Sequence, residues 1–502
     1  MTGRKFLKSV AIIFGILSFF IYFGIKWLTK SFGNVSFEQL LWNATNNNNG
    51  ADLSIVRSSF KYVSQFILYS AIWSFFVTKF EEIAQIFLFI AEHPKQALKI
   101  LLLCLKRWSR KLTISYFLLF VALLSLSFFC IQVHRLDKRT QLGQFVSSHF
   151  FDHSEDFIEQ NIFYPKIENV TFSIKKDLVV VLAESMETSF YDPNISTKPI
   201  ESHLKKHFSD SLHTNNMLNL NNSSWTIAAM TGWHFGLPLK LPSFVDGNNY
   251  HSKRGFLPGA QSIFEIFKKN GYTMVMVLGS DSNFSGQRTL FTTHGEFRIL
   301  DRQYWQMQGW SLEEHGGTGW GYNDEFVLDR AFEEYKKLKK ENKPFVLFVE
   351  TVDTHAPEGF APKNKRQYKD IRDPYAYEDE LLANFADQIK TFEPSNTTLA
   401  IIGDHYFMGT PSFLPDYSKR RIFNLFWSAN IKNGLRLRED KNISALDIAP
   451  TLLELAGGRW ENHQYGLGVS VFSSDPNLLE KHGLNNLNQA LSKRSKRYDE
   501  FY

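Results

Sequence analysis

The nine residues Asp177 to Ser185, DLVVVLAES, set the terms for what this chain can fold into. Six apolar residues in a row, Leu178 to Ala183, leave no polar face, so the segment reads as a central strand covered on both sides. The run ends on a carboxylate, Glu184, followed by Ser185. Ligands in open α/β sheets collect in the crevice at the carboxyl ends of the strands, which is where Glu184 falls. Glu184 is therefore expected as the first of four metal ligands, the others coming from further along the chain.

From residue 177 onward apolar strands alternate with helical patterns. Strands are expected at 177–183, 273–279, 344–350, 398–403 and 422–428, and helices at 260–269, 324–340, 376–391 and 444–456. Asn270-Gly271 and Gly457-Gly458 supply helix stops. Apolar strands between helices predict an α/β domain with a mostly parallel central sheet flanked by helices, running as one unit over 177–502.

The first part of the chain has a different character. Residues 9–29 carry one charge, Lys26, and follow Arg4, Lys5 and Lys8. They are long enough to cross a bilayer, and no small-residue cleavage pattern follows, so a retained helix is expected rather than a removed signal. A shorter, more polar segment at 62–78 and an uncharged one at 113–133 complete three expected spans. Between them, 83–105 reads as an interfacial hairpin, with a fourth span as the alternative. The cluster Lys106, Arg107, Arg110 and Lys111 puts that side in the cytoplasm and everything beyond about residue 134 outside. The expected organisation is thus a transmembrane region at 1–133, a linker at 134–176 and an extracytoplasmic domain at 177–502, with the inner membrane of a bacterium as the setting. A net charge of +5 over 502 residues is too small for the footprint of a nucleic-acid binder. The two cysteines, Cys104 and Cys130, both lie in the apolar part, so the domain beyond must bind any metal through His, carboxylate or hydroxyl.

Two other strand ends carry suitable groups. The strand at 344–350 runs into Thr354 and His355, and the strand at 398–403 runs into Asp404 and His405. One carboxylate oxygen and one imidazole from an Asp-His pair can meet the same ion; the dipeptide alone reads first as a helix cap or loop pair, and Glu184 at the matching strand end turns the reading to a metal site. In NNSSWTIAAMTG, at 221–232, a helix is expected to open at Trp225 or Thr226. A hydroxyl there serves either as an N-cap, for which Ser223, Ser224 and Thr226 qualify, or as a nucleophile favoured by the positive helix end. Asn323 or Asp324 in GWGYNDEF would cap the helix at 324–340, and His234, His251, His294 and His315 read as loop or surface residues.

The order of DLVVVLAESMETSFYD, SSWTIAAMTG, WGYNDEFVLD, FVETVDTHAPEGF, IIGDH and YGLGVS resembles the membrane-anchored phosphoglycerol and phosphoethanolamine transferases of the alkaline phosphatase and sulfatase superfamily. The likeness covers about 177–472 and is nearest to the periplasmic glucan phosphoglycerol transferases, with lipoteichoic acid synthase more distant. It implies Thr226 as covalent nucleophile and metal ligand, Glu184, Asp404 and His405 as the other ligands, His355 as a catalytic and substrate-side histidine, and Trp320 as a substrate contact. The implied cofactor is one divalent ion, Mn2+ ahead of Mg2+ or Zn2+. The implied partners are a phospholipid donor and a glycan acceptor, whether periplasmic glucan, lipopolysaccharide or capsule.

The departures from the family pattern are informative. The glycerol-phosphate His and Trp-Asn-Arg of lipoteichoic acid synthase are absent from SDSNFSGQRTLF, which leaves Arg288 as a candidate phosphate contact beside its reading as a surface arginine. The cysteine nucleophile of the sulfatases is absent, as are the disulfides usual in lipid A phosphoethanolamine transferases. A glucan-type C-terminal extension is not matched either, so the acceptor stays open. A phosphoethanolamine donor, or a catalytically silent membrane sensor on the same fold, are the alternatives to phosphoglycerol transfer.

Overall fold

The computed structural model describes residues 2–33, 35–45, 53–91, 99–150, 156–241, 255–316, 319–357, 359–360, 370–429 and 431–502. Residues 92–98 of the expected hairpin at 83–105, and His251, lie outside them. Four helices open the chain: α1 (Thr2–Phe32), α2 (Phe37–Thr45), α3 (Leu53–Ala91) and α4 (Lys99–Thr140). The chain divides into two compact units, residues 1–34 with 53–142, and residues 35–52 with 143–502.

In the first unit α3 runs antiparallel to α1, since Trp73 Nε1 donates to Ala11 O at 2.9 Å while Trp27 Nε1 donates to Ser58 Oγ at 3.0 Å. Helix α4 runs parallel to α1, with Arg4 Nε on Ser115 Oγ at 2.9 Å and the rings of Phe14 and Phe129 5.2 Å apart. Gly15 lets α3 close in, because a Cβ there would lie 2.1 Å from Trp73 Nε1. Among the described residues, Gly3–Phe32 and Ile114–Thr140 are each long and apolar enough to cross a membrane. The segment 62–78 lies inside α3. Helical structure continues further than the polar sequence beyond 134 suggests: α4 runs to Thr140, and a short helix, Leu142–Phe150, follows. Phe145 of that helix is buried in the core of the second unit.

The second unit is built on a six-stranded sheet. Its strands are β1 (Asp177–Ala183), β2 (Thr273–Leu278), β3 (Arg298–Leu300), β4 (Phe345–Glu350), β5 (Thr397–Gly403) and β6 (Asn424–Ser428). They are ordered β3-β2-β4-β1-β5-β6, all parallel except β6, which pairs antiparallel with β5. All seven residues of β1 are buried, as their unbroken apolar run requires. The alternation of side chains along β4 shows how both faces are covered. Phe348 packs against the rings of Trp233, Phe264 and Phe291, whereas Phe345, on the opposite face, meets Tyr335. Trp233 belongs to α5 (Thr226–Phe235) and Tyr335 to α6 (Asp324–Lys340), with α7 (Arg372–Thr391) packed beside α6. Losing a fully buried ring such as Phe348 to alanine costs about 3–5 kcal/mol in such a core.

Candidate active site

The register of the sheet assembles the site. Ala183 at the end of β1 pairs with Gly403 at the end of β5, so the next residues, Glu184 and Asp404, emerge side by side. On the other flank Leu182 pairs with Glu350 of β4, which delivers the segment 351–355 to the same edge. Gly403 is required by close approach, because a Cβ there would sit 2.1 Å from Met186 O. The turn after β1 is held tightly: Ser185 takes a left-handed φ of 53° and donates its N–H to Asp404 Oδ1 at 2.8 Å and its hydroxyl to Glu184 Oε1 at 2.6 Å.

Ligand atoms of Glu184, Asp404 and His405 all lie within 4.8 Å of one another, and all three residues are buried. His405 Nδ1 lies 2.8 Å from Tyr406 O, and because a carbonyl only accepts, Nδ1 carries the proton. That leaves the Nε2 lone pair facing Asp404 Oδ2 at 3.2 Å and Glu184 Oε1 at 3.7 Å. Neither Nε2 nor Asp404 Oδ2 has a hydrogen-bond partner among the described residues. An unsatisfied carboxylate oxygen and an unsatisfied imidazole nitrogen, with the Glu184 carboxylate beside them, are the donor set a divalent cation fits. Without an ion, burial and the neighbouring Glu184 charge push Asp404 up to about 7. Burial pulls His405 down, but the Asp404 and Glu184 carboxylates outweigh it and hold the imidazole above its ordinary value.

Thr226 joins this group, its Oγ1 donating to Glu184 Oε2 at 3.3 Å. It is the first residue of α5, and the capping position before it holds Trp225, in extended conformation, with no side-chain cap. Thr226 is therefore not the cap of its helix, and the positive end of α5 is open to an anion. The residues of α5 after Thr226 are buried without exception, which fixes the helix that carries it.

The segment after β4 is tied to the same turn. Glu184 N donates to Thr351 Oγ1 at 3.1 Å, and Thr354 Oγ1 donates to Glu184 O. These bonds place His355, the next residue, beside the site, with its ring 4.9 Å from that of Trp320, which also meets Phe284 at 5.0 Å. Arg288 is engaged elsewhere: its Nη2 donates to the buried Asp301 at 2.6 Å. Asn323 caps α6, accepting from Phe326 N at 3.0 Å, whereas Asp324 is buried and accepts the N–H groups of Val352 and Asp353. His234 and His294 are buried rather than at the surface. His234 sits on the enclosed α5 between the rings of Phe264 and Phe291, and His294 bonds Glu265 Oε1 at 2.9 Å.

Two supporting groups had no readable signal. Glu187 and Arg420, 233 residues apart, form a buried bidentate pair. Glu187 also accepts from Phe407 N at 2.6 Å and Arg420 donates to Phe407 O at 2.7 Å, so the pair locks the residue two beyond His405 to the exit of β1. Asp324, Asp353 and Glu378 form a buried acid cluster behind the 351–355 segment. Burial pushes Asp324 up to about 7, and Asp353 and Glu378 well above the carboxylate range.

A mostly parallel sheet whose strand ends gather a carboxylate, an Asp-His pair and a helix-start hydroxyl places a donor set that fits a divalent cation beside a hydroxyl. The chain belongs to the sulfatase family, whose model matches residues 176–458, more than half of it. Among curated proteins it is similar to phosphoglycerol transferase I of Xanthomonas campestris pv. campestris (strain B100), 29% identical over 314 residues, 60% of this chain and 43% of that one. It is also similar to phosphoglycerol transferase I of Escherichia coli O6:K15:H31, 27% identical over 347 residues, 66% of this chain and 43% of that one. The chain thus spans less than half the length of these relatives. Among solved structures, the lipoteichoic acid synthase LtaP from Listeria monocytogenes aligns with a TM-score of 0.47 at 16% identity, covering 61% of this chain and 80% of that one.

Proposed function

We propose that this protein transfers a phosphoglycerol head group from phosphatidylglycerol to a cell-envelope glycan by two successive displacements at phosphorus. The observation that carries the reading is the placement of Thr226 Oγ1, 3.3 Å from Glu184 Oε2 in the cluster that Asp404 and His405 complete. In the first displacement Thr226 Oγ bonds to phosphorus, the phosphorus–oxygen bond to diacylglycerol breaks, and diacylglycerol leaves as its alcohol with the proton from Thr226. In the second a glycan hydroxyl attacks the phospho-threonine, its proton returns to Thr226 Oγ, and the phosphoglycerol glycan departs. Glu184, Asp404, His405 and Thr226 would hold one divalent ion, Mn2+ first, which when bound supplies positive charge against the phosphoryl oxygens. The uncapped start of α5 adds N–H groups on the same side, and His355 is placed to bind the phosphate or carry the proton. Trp320, whose ring meets that of His355 at a 56° tilt, is the accompanying substrate contact in this reading.

Membrane attachment follows the same reading. Helix α2 shares a core with residues 143–502, so both lie on one side of the bilayer. With α1 up, α3 down and α4 up, the three long helices make three spans and the sulfatase-family domain is periplasmic. A donor drawn from the lipid leaflet suits that arrangement. The test is mass analysis of the Thr226 peptide after the purified full chain meets bacterial phospholipids. A gain of about 154 Da marks phosphoglycerol and about 123 Da phosphoethanolamine, on a nucleophilic hydroxyl. Thr226→Ala is expected to abolish both adduct and turnover while the protein still folds. Turnover surviving in that variant refutes covalent catalysis, and absence of any adduct in the unaltered protein points to a silent sensor.

A further inference from the structure

Helix α2 lies outside the matched segment 176–458 and belongs in sequence to the link between two long helices, yet it is built into the domain that carries the site. Trp42 is buried, its ring 5.5 Å from that of Phe256 and its Nε1 donating to Ser285 O at 3.0 Å. Phe37 packs against Phe145 at 5.1 Å. In the same first turn, Glu38 Oε2 accepts from Asn222 Nδ2 at 2.5 Å. Asn222 is 4% exposed and sits in the short turn Asn221–Ser223 that leads into Trp225 and Thr226. Its Nδ2 also reaches Leu239 O at 3.2 Å, and its carbonyl accepts from Leu239 N at 3.0 Å. Asn43 Oδ1 takes the Ser285 hydroxyl at 3.3 Å, in the short turn Phe284–Gly286.

A helix that only had to dock could do so with apolar side chains. Glu38 instead places a carboxylate in the contact, with Oε1 lacking a hydrogen-bond partner among the described residues. Burial opposes its charge, and the Lys240 ammonium and the Asn222 amide favour it. A leucine would avoid that desolvation. What the carboxylate adds is direction, because it holds the Asn222 side chain and with it the turn before Thr226.

We propose that Glu38 is a positioning residue for the nucleophile turn, so that Thr226 is set for attack only while α2 is seated on the domain. The attack itself rests on the transfer reading above; the seating does not. The test uses the full chain in nanodiscs containing phosphatidylglycerol, with Glu38→Leu, Asn222→Ala, the two combined, and Glu38→Gln. Glu38→Leu fills the space without accepting a hydrogen bond, and Asn222→Ala removes the same bond from the other side, together with that to Leu239 O, should the first variant fold poorly. Each single change is expected to slow formation of the Thr226 adduct about ten-fold or more, with the lipid KM and metal affinity unmoved. The double variant is expected to be no slower than Asn222→Ala alone, and Glu38→Gln, whose amide oxygen still accepts, to keep most of the rate. Amide hydrogen exchange over residues 222–228 is expected to quicken several-fold in Glu38→Leu. Losses that multiply in the double variant, a loss confined to KM, or unchanged exchange at 222–228 would overturn the proposal. If the unaltered chain forms no adduct with any lipid, the transfer reading fails, and the exchange result alone decides the role of Glu38.

Discussion

Replacing Arg420 with methionine isolates what holds the metal-ligand loop in place. In the native protein Glu187 is fully buried and accepts from Arg420 Nε at 2.9 Å, from Arg420 Nη2 and from Phe407 N at 2.6 Å. Arg420→Met keeps the bulk of the side chain and leaves Glu187 with Phe407 N. Two hydrogen bonds to a charged group, at about 1.5–3 kcal/mol each, set a loss of roughly 3–6 kcal/mol.

Guanidinium unfolding of the full chain in detergent, followed by near-ultraviolet circular dichroism, is expected to show a deficit of about 3–6 kcal/mol at pH 7. Glu187→Leu with Arg420→Met, which removes both charges, is expected to recover most of the deficit. A deficit below about 1 kcal/mol at pH 7, or one that the double variant does not recover, would refute the reasoning that an unpaired carboxylate is what the variant leaves behind.

Chelation with EDTA is expected to stop adduct formation and Mn2+ to restore it, whereas in Asp404→Asn added Mn2+ restores little; full activity of that variant at low metal would remove Asp404 from the ligand set. Burial, set against a hydrogen bond from Gln287 and joined by the Glu184 charge, pushes Glu350 up to about 8. In the metal-free protein its contribution to stability is thus present below about pH 4.5 and is lost as pH rises toward 8, on the order of a few kcal/mol. Thermal melts of Glu350→Gln should gain on the native protein across that range, and a gap constant with pH would contradict the assignment. Ala44 is exposed on α2, so Ala44→Cys in a Cys104→Ser, Cys130→Ser background should react with a membrane-impermeant maleimide in intact spheroplasts. Labelling that needs lysis would place α2 on the cytoplasmic side.

Burial decided which of these features could be read from the chain. Strands enclosed on both faces are largely apolar, so β1, β2, β4 and β5 stand out as apolar runs and β6 as the shorter Leu425–Trp427, while the three-residue edge strand β3 has too few residues to form one. Glu184 and Asp404 were legible for the same reason: each is the first polar residue after such a run, and adjacent parallel strands in register bring them together without further instruction. Arg420 follows no run, and nothing local distinguishes an arginine in a loop from one that is 1% exposed and stacked over Tyr417 at 4.5 Å. Its partner Glu187 reads as a second acid past a strand end, and only the return of the chain 233 residues later turns the two into a lock on Phe407. Helix α2 was hidden by a different cause. Phe37, Leu41 and Trp42 are spaced for one helical face, but nine residues between two long apolar segments give too short a window for periodicity to register. The residues that supply the chemistry sit where local rules apply, at strand ends and a helix start. Those that hold them there, Glu38, Glu187 and Arg420, are polar groups buried by distant parts of the chain, and their meaning exists only once the fold has closed around them.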